Sequence, residues 1–493
     1  MNAADAFRPL SNASAVPWAE VPERPIETLV DATATALEAG ARLCAWFGVP
    51  EGDAVRVVAV LARDAENTLA VARSRPVRGA YPALTPRQTQ AHLFERELWE
   101  QHGLEPRGHP WLKPVRRARD GAPVQGPFFQ VEGPEVHEVG VGPVHAGIIE
   151  PGHFRFQCAG EEVLHLEIAL GYQHRGVEEA LTGGPHRATW AQIETVAGDT
   201  TLGHATAHAL VLEALAGSEA PLRAQWLRAL ALELERLANH TGDLGALAND
   251  VAFQPTSAAC GKIRGDFLNL TALVCGNRFG RGLVRAGGCR HDLEPDRLAQ
   301  LRERLETALA EVERAAGWLW DAALARARFE QVGVVSPAQA VEIGLVGVAA
   351  RACGLVRDAR FDQPCGWSRL AQLPVAVWPG GDVLARARVR ALEIQHSGGY
   401  LREQLAQGPD DAIRAEPGSP APEHLAVALV EGWRGEICHV ALTGADGRFR
   451  RYKIVDPSFH NWTGLALALR GTAISDFPIC NKSFNLSYCG FDL

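Results

Sequence analysis

The reading of the fold turns on residues 137–172, HEVGVGPVHAGIIEPGHFRFQCAGEEVLHLEIALGY. In this stretch Phe154-Arg-Phe156-Gln and Val163-Leu-His-Leu-Glu-Ile168 alternate apolar and polar side chains, the two-residue period of half-buried strands. Gly160 between them supplies a turn, so the stretch predicts antiparallel strands. From about residue 174 to about 408 the period lengthens to three or four, with the clearest helices near 203–217, 222–247, 293–329 and 383–407. A small sheet followed by so long a helical stretch predicts an α+β unit with a helical bundle at its centre. Strand patterns return at 425–455 (LAVALVEG, ICHVALTG, FRRYKIVD), and 471–493 reads as an irregular tail.

Upstream the pattern belongs to a second, smaller unit. Residues 26–48 read as a helix, 55–62 as a strand, and Thr85 before Pro86 as the N-cap of another helix. Residues 106–135 are rich in Pro, Gly and Arg, the composition of a connection. We therefore divide the chain into a small α/β unit (1–120), a linker (121–136) and an α+β unit (137–493), as its 493 residues lead one to expect. A formal net charge of −9 gives no footing for nucleic acid. No apolar run reaches the roughly 18–20 residues that cross a bilayer, and the N-terminus lacks the apolar core of a secretory signal. Any membrane connection is thus expected through partners. The ten cysteines form no C-x-x-C pair and read as reduced thiols; Cys480 and Cys489, nine apart, are weak evidence for a metal.

Three groups of motifs carry a resemblance. Phe94-Glu-Arg-Glu-Leu98, Gly103-Leu and Gly108-His-Pro-Trp-Leu112 resemble the signature of the 30-kDa-type subunit of respiratory complex I. Gly142-Pro-Val-His145-Ala-Gly-Ile-Ile-Glu150-Pro and Gly171-Tyr-Gln-His174-Arg175-Gly176-Val-Glu178 resemble the opening of its 49-kDa-type subunit and of hydrogenase large subunits. Similar pieces continue through Glu233–His240, Asn277–Gly280, Gly344–Gly354, Glu431–Glu436, Asp456–Phe459 and Phe484–Cys489. The fusion resembles large subunits of formate-hydrogenlyase and hydrogenase-4-like complexes. That resemblance implies a peripheral subunit on the cytoplasmic face of the cell membrane. Its implied partners are an iron–sulfur small subunit, which carries the iron–sulfur cluster, and integral membrane subunits of the complex I/antiporter type.

Nickel–iron hydrogenases hold their metals with two C-x-x-C pairs, because soft thiolates suit nickel. The matching segments here are Thr195-Val-Ala197-Gly-Asp199-Thr200 and Ser483-Phe-Asn-Leu-Ser487-Tyr-Cys489-Gly490. Ala197, Thr200, Ser487 and Gly490 stand at the thiolate places, and Cys489 is one residue out of register. We expect no nickel–iron centre and no metal held by this chain. Complex I lost the same thiolates and kept the pocket for quinone, so the resemblance implies a quinone-like or unknown electron acceptor. One departure weakens the parallel: the family loop has two histidines four apart, whereas this chain has His145 and then Ile149, with His153 beyond.

By the resemblance, Glu178, Arg434 and His145 are the candidate catalytic residues, and Arg175, Asp199, His204 and Lys482 the candidate ligand-binding ones. Glu178 matches a proton-passing glutamate, a role that asks for a buried carboxyl with a raised pKa. Arg434 matches an arginine that overhangs the metal, and Trp433 replaces the proline usual before it. Plainer readings stand beside these. Arg175 and Glu178, three apart, suit a surface ion pair; His204, like His174 and His240, suits a buried hydrogen bond; Lys482 suits a solvated surface. Two functions follow: an oxidoreductase-complex subunit passing electrons to a quinone-like acceptor, or a catalytically silent structural and coupling subunit.

Overall fold

The computed structural model describes residues 6–116, 127–147 and 149–493. Three short strands, β1 (Arg8–Leu10), β2 (Ser14–Pro17) and β3 (Glu23–Arg24), precede helix α1 (Ile26–Glu38). The helix expected over 26–48 ends there. Gly40 turns the chain at φ +99°, and the remainder becomes strand β4 (Arg42–Glu51). Leu43 through Phe47 are all buried, and an apolar run covered on both faces carries no period that tells strand from helix. β4 pairs with β5 (Ala54–Arg63), β5 with β6 (Thr68–Ser74), and β6 with β1 and β3. β7 (Ala80–Pro82), α2 (His92–His102) and β8 (Glu105–Arg107) complete this unit. Helix α2 lies close on β4 because residue 48 is glycine: a Cβ there would come within 2.5 Å of the His102 ring. Thr85 does not cap α2, which starts seven residues later. Its hydroxyl and amide, with the Leu84 amide, bind the buried Glu95 carboxylate instead.

The stretch that decided the fold forms the antiparallel sheet expected of it, with β9 (Val136–Val141), β10 (His153–Ala159) and β11 (Glu162–Ala169) in the order β11-β10-β9. Short helices α3 (Val177–Leu181) and α4 (Thr189–Ile193) lead into α5 (Thr201–Leu215), α6 (Leu222–Asp250) and α7 (Gln254–Cys275). The small ribbon of β12 (Val284–Arg285) and β13 (Gly288–Cys289) follows, then α8 (Pro295–Asp321), α9 (Ala323–Ala327), α10 (Pro337–Glu342), α11 (Gly347–Arg351), α12 (Ala359–Asp362) and α13 (Val383–Ala406). Helices α6, α7, α8 and α13 pack together as the central bundle. The strand patterns at 425–455 become β14 (His424–Glu431), β15 (Glu436–Thr443) and β16 (Phe449–Val455). The tail is helical where irregular chain was expected: after α14 (Pro457–Ala468) come α15 (Phe477–Phe484) and α16 (Tyr488–Asp492). Pro478 at the start of α15, the left-handed Asn485 that ends it and the Ser487 cap of α16 divide it into pieces too short to show a period.

The two units share a sheet. β2, from the first fifteen or so residues, pairs with β14 to give the order β16-β15-β14-β2. α5 covers one face of this sheet, while β4 and α2 of the small unit approach the other near β16. The architecture is α+β, with small antiparallel sheets around a helical core. Among the described residues no helix is long and apolar enough to cross a membrane.

Candidate functional site

The two segments matched to thiolate pairs meet at the base of α5. The first, 195–200, is the turn entering α5; the second, 487–490, is the turn entering α16. Arg175 ties them together, donating to the carbonyls of Thr195 (2.8 Å) and Val196 (3.0 Å) and, at 3.4 Å, to that of Cys489. It does not pair with Glu178. The loop between β14 and β15 then delivers Trp433 and Arg434 into the junction. Arg434 holds Asp199 through two parallel bonds of 2.6 and 2.8 Å, donates to the Asn485 carbonyl at 2.6 Å, and lies 3.9 Å over the Trp433 ring. The Trp433 indole donates to the Asp199 carbonyl (3.0 Å) and to the Thr200 hydroxyl (3.1 Å). Burial alone would raise the Asp199 carboxyl, but the Arg434 guanidinium brings it below the usual range.

Ser487 and Gly490, two of the thiolate places, are each engaged by neighbouring protein groups. Ser487 caps α16, accepting the Gly490 amide at 2.9 Å. Gly490 lies against the Asp456 carboxylate so closely that a Cβ there would sit 2.7 Å from it. Cys489 is half-buried beside Glu150 and Ser487, and loss of solvent pushes its thiol up to about 11, away from the thiolate a metal needs. The free space next to Asp199, lined by Leu202, Glu235 and Asn239, is about 240 Å³ even counting what opens to solvent. Small-molecule pockets hold roughly 300–1,000 Å³. In the described structure, then, the junction is filled by protein.

The remaining candidates lie in other settings. His204 is fully buried and bonds Asp456 (3.1 Å) and His439 (3.1 Å), while Asp199 has Arg434 as its partner. His145 bonds the carbonyl of Gly152 at 2.9 Å within its own loop, bridging to Ile149. His174 bonds the Asp492 carbonyl (2.6 Å) at a half-buried position, and His240 bonds the Glu393 carboxylate (2.6 Å) in the core. Lys482 is half-buried on α15, where its charge offsets part of the rise that burial gives the Asp250 carboxyl. Glu178 is buried at the seam between the two units. It accepts from Lys453 (2.8 Å), Arg451 (3.0 Å) and the Ile454 amide (3.1 Å), and Lys453 in turn reaches Glu97 of α2 at 2.7 Å. Burial would raise the Glu178 carboxyl, yet Lys453 and Arg451 hold it down at about 2. A proton-passing group needs the opposite shift.

Two participants were not singled out from the sequence. Asp456 was visible only as part of Asp-Pro-Ser-Phe, where an Asp before Pro also signals a helix cap, and it does accept the Ser458 amide at 2.8 Å. Glu235, buried on α6, takes the Leu202 and Gly203 amides at the start of α5, and burial lifts its carboxyl to about 8. No local signal marks it, since its partners lie over thirty residues away.

Comparison with known proteins places this geometry among relatives. Residues 250–421 match the family described as respiratory-chain NADH dehydrogenase, 49 Kd subunit. Formate hydrogenlyase subunit 5 of Escherichia coli is 30% identical over 436 residues, 83% of this chain and 76% of that one. The carbon monoxide-induced hydrogenase of Rhodospirillum rubrum is 31% identical over 356 residues, 71% of this chain and 97% of its own. NADH-quinone oxidoreductase subunit 4 of Thermus thermophilus is 27% identical over 374 residues, 69% and 90% of the two chains.

Proposed function

This chain belongs to the family that joins the 49-kDa subunit of the respiratory-chain NADH dehydrogenase to the large subunits of hydrogenase complexes, and on that premise we propose that it is a coupling subunit without a nickel–iron centre. It docks an iron–sulfur subunit and, through it, membrane subunits of the complex I/antiporter type, lying peripherally on the cytoplasmic face. The observation that carries this reading is the filled junction: Arg434, Asp199 and Trp433 occupy the space between segments 195–200 and 487–490. The side chains there do not fit nickel. Ala197 and Gly490 offer no donor, Thr200 and Ser487 offer neutral hydroxyls already hydrogen-bonded, and Cys489 is held as a thiol.

Residues 1–120 are, in this proposal, a 30-kDa-type unit fused ahead of the 49-kDa-type unit at 137–493. The span of similarity supports this. It covers 83% of the chain against formate hydrogenlyase subunit 5 but 69% against the Thermus subunit, so the former reaches further along this chain. From the Pro, Gly and Arg content of the linker, mild proteolysis is expected to cut between about 114 and 134. The fragments should then stay together, because β2 and the Lys453 seam hold them. Cleavage only inside 140–480 counts against the fusion.

A second reading, electron transfer to a quinone-like acceptor, has one observation in its favour. The Asp199 side chain is 34% exposed, so the filled junction reaches the surface where a partner would dock. One experiment separates the two. The purified complex is expected to contain iron from its partner, no stoichiometric nickel and no hydrogen turnover, and Arg434→Ala is expected to leave any quinone reduction unchanged. A tenfold loss in that variant, with assembly intact, favours the second reading. One nickel per chain together with hydrogenase activity overturns both.

A further inference from the structure

Behind the filled junction runs a line of buried groups that the proposed function does not use. The Asp456 carboxylate meets Nε2 of His204 at 3.1 Å, and Nδ1 of His204 meets Nε2 of His439 at 3.1 Å. Nδ1 of His439 meets the Tyr452 hydroxyl at 2.9 Å, and that hydroxyl meets Nδ1 of His208 at 2.8 Å. The three histidines and the tyrosine are fully buried, drawn from α5, β15 and β16. At the far end Nε2 of His208 is buried with no partner. The half-buried Trp190 packs edge-on against the His208 ring at 4.9 Å, and Arg285, paired with Glu194, lies over its indole.

The hydrogen positions in this line follow from one end. Asp456 accepts the Ser458 amide and has Arg434 in its field, so it is ionised and His204 must donate to it from Nε2. In neutral His204, Nδ1 is then an acceptor, and His439 donates from Nε2. His439 Nδ1 in turn accepts from the Tyr452 hydroxyl, whose oxygen accepts from His208 Nδ1. His208 Nε2 is left as a bare lone pair, matching the unpartnered atom observed. One added proton reverses the three bonds from His208 to His204 and keeps the His204 Nε2–H bond to Asp456, so the line has the same number of bonds, with His204 doubly protonated against Asp456.

We propose that His208, Tyr452, His439 and His204 form a one-proton relay between the Trp190 side of the molecule and Asp456 at the filled junction. A proton from solvent water binds Nε2 of His208, whose Nδ1–H bond breaks as an O–H bond forms on Tyr452. The original Tyr452 hydroxyl proton moves to Nδ1 of His439, and the His439 Nε2 proton moves to Nδ1 of His204. The charge ends on the His204 imidazolium, held by Asp456; no electrons are exchanged. The surroundings keep the intermediate groups neutral. Burial with the Arg285 field lowers His208 to about 3, burial with the other two histidines lowers His439, and burial with Cys438 raises Tyr452. The relay stands on hydrogen-bond geometry and does not require the junction to turn over a substrate.

The test is nitrogen NMR of the full-length chain labelled in histidine, followed through a pH titration. As His204 becomes doubly protonated, His439 is expected to change from the Nε2–H to the Nδ1–H form and His208 from Nδ1–H to Nε2–H at the same pH. In Tyr452→Phe, which keeps the ring, His208 should no longer change with the other two, and exchange of the His204 ring protons with solvent should slow at least tenfold. His439 and His208 keeping one form throughout, or His208 still changing in step in Tyr452→Phe, overturns the relay. If that variant does not fold, His208→Phe removes only the outer end. The same tenfold slowing at His204 is expected there, and unchanged exchange overturns the relay.

Discussion

The two faces of β16 are buried alike and hold opposite kinds of polar group. Arg451 and Lys453 point to the seam with the small unit, where they meet Glu178 of α3 and Glu97 and Gln101 of α2. Tyr452, between them in sequence, points to α5 and joins a line of neutral histidines. Strand alternation decides which residue goes to which face. What each face brings to it decides its charge state. On the Lys453 face, cations and carboxylates are close enough to compensate each other's desolvation, so both stay ionised. On the Tyr452 face the hydrogen-bonded line holds one carboxylate among the described residues, Asp456 at its end, and burial disfavours charge on His439, Tyr452 and His208 beyond it.

Breaking the charged face should have the largest effect. Lys453→Met removes the cation between Glu97 and Glu178 and leaves two buried carboxylates facing each other. The loss of stability is expected to be about 3–5 kcal/mol, measured by denaturant unfolding of the intact chain. A loss below about 1 kcal/mol would mean that Arg116 and Arg451 alone neutralise the pair.

At the junction, Arg434→Ala removes the bidentate partner of Asp199. Because that carboxylate is partly exposed and can regain water, the cost should be smaller, about 1–2 kcal/mol by the same measurement.

Acid should also separate the two faces of β16. Glu178 has a folded pKa of about 2 against an ordinary 4.5, so its contribution is complete above about pH 4.5 and is lost as pH falls toward 2. Unfolding followed by circular dichroism is expected to begin in that window. Glu178→Gln should flatten the pH dependence there, and an unchanged profile would show that other carboxylates control acid stability.

An effect no larger than that at the junction is expected on the neutral face. Tyr452→Phe gives up two hydrogen bonds but no charge, at a cost of about 1–2 kcal/mol. Were it to exceed the loss in Lys453→Met, the contrast between the faces would fail.

Much of this protein was legible before any coordinates. The alternation in 153–169 and 425–455 pointed to strands, and the long periods after 200 to the helices α5, α6 and α13 within a few residues, whereas the helix expected over 293–329 breaks at the extended Ala322 into α8 and α9. α7 was not singled out, because Gly261, Lys262, Arg264, Gly265 and Asp266 interrupt its apolar spacing. At the site, motif matching found Asp199, Arg434 and Arg175, which the structure brings to one junction. It set Glu178 beside Arg175, whereas the partners of Glu178 are Lys453 and Arg451, more than 270 residues away.

The sequence by itself determined the family, the local elements and the absence of sulfur at Ala197, Thr200, Ser487 and Gly490, since those depend on residue identity and short-range order. Only the tertiary structure decided that Trp433 and Arg434 fill the place between those segments, that Glu178 is held ionised, and that His204, His439, Tyr452 and His208 align. The physical reason is that burial, charge state and hydrogen-bond direction are set by what lies across the contact. Here all of those contacts but His439–Tyr452 join residues over two hundred positions apart, beyond the reach of any local pattern.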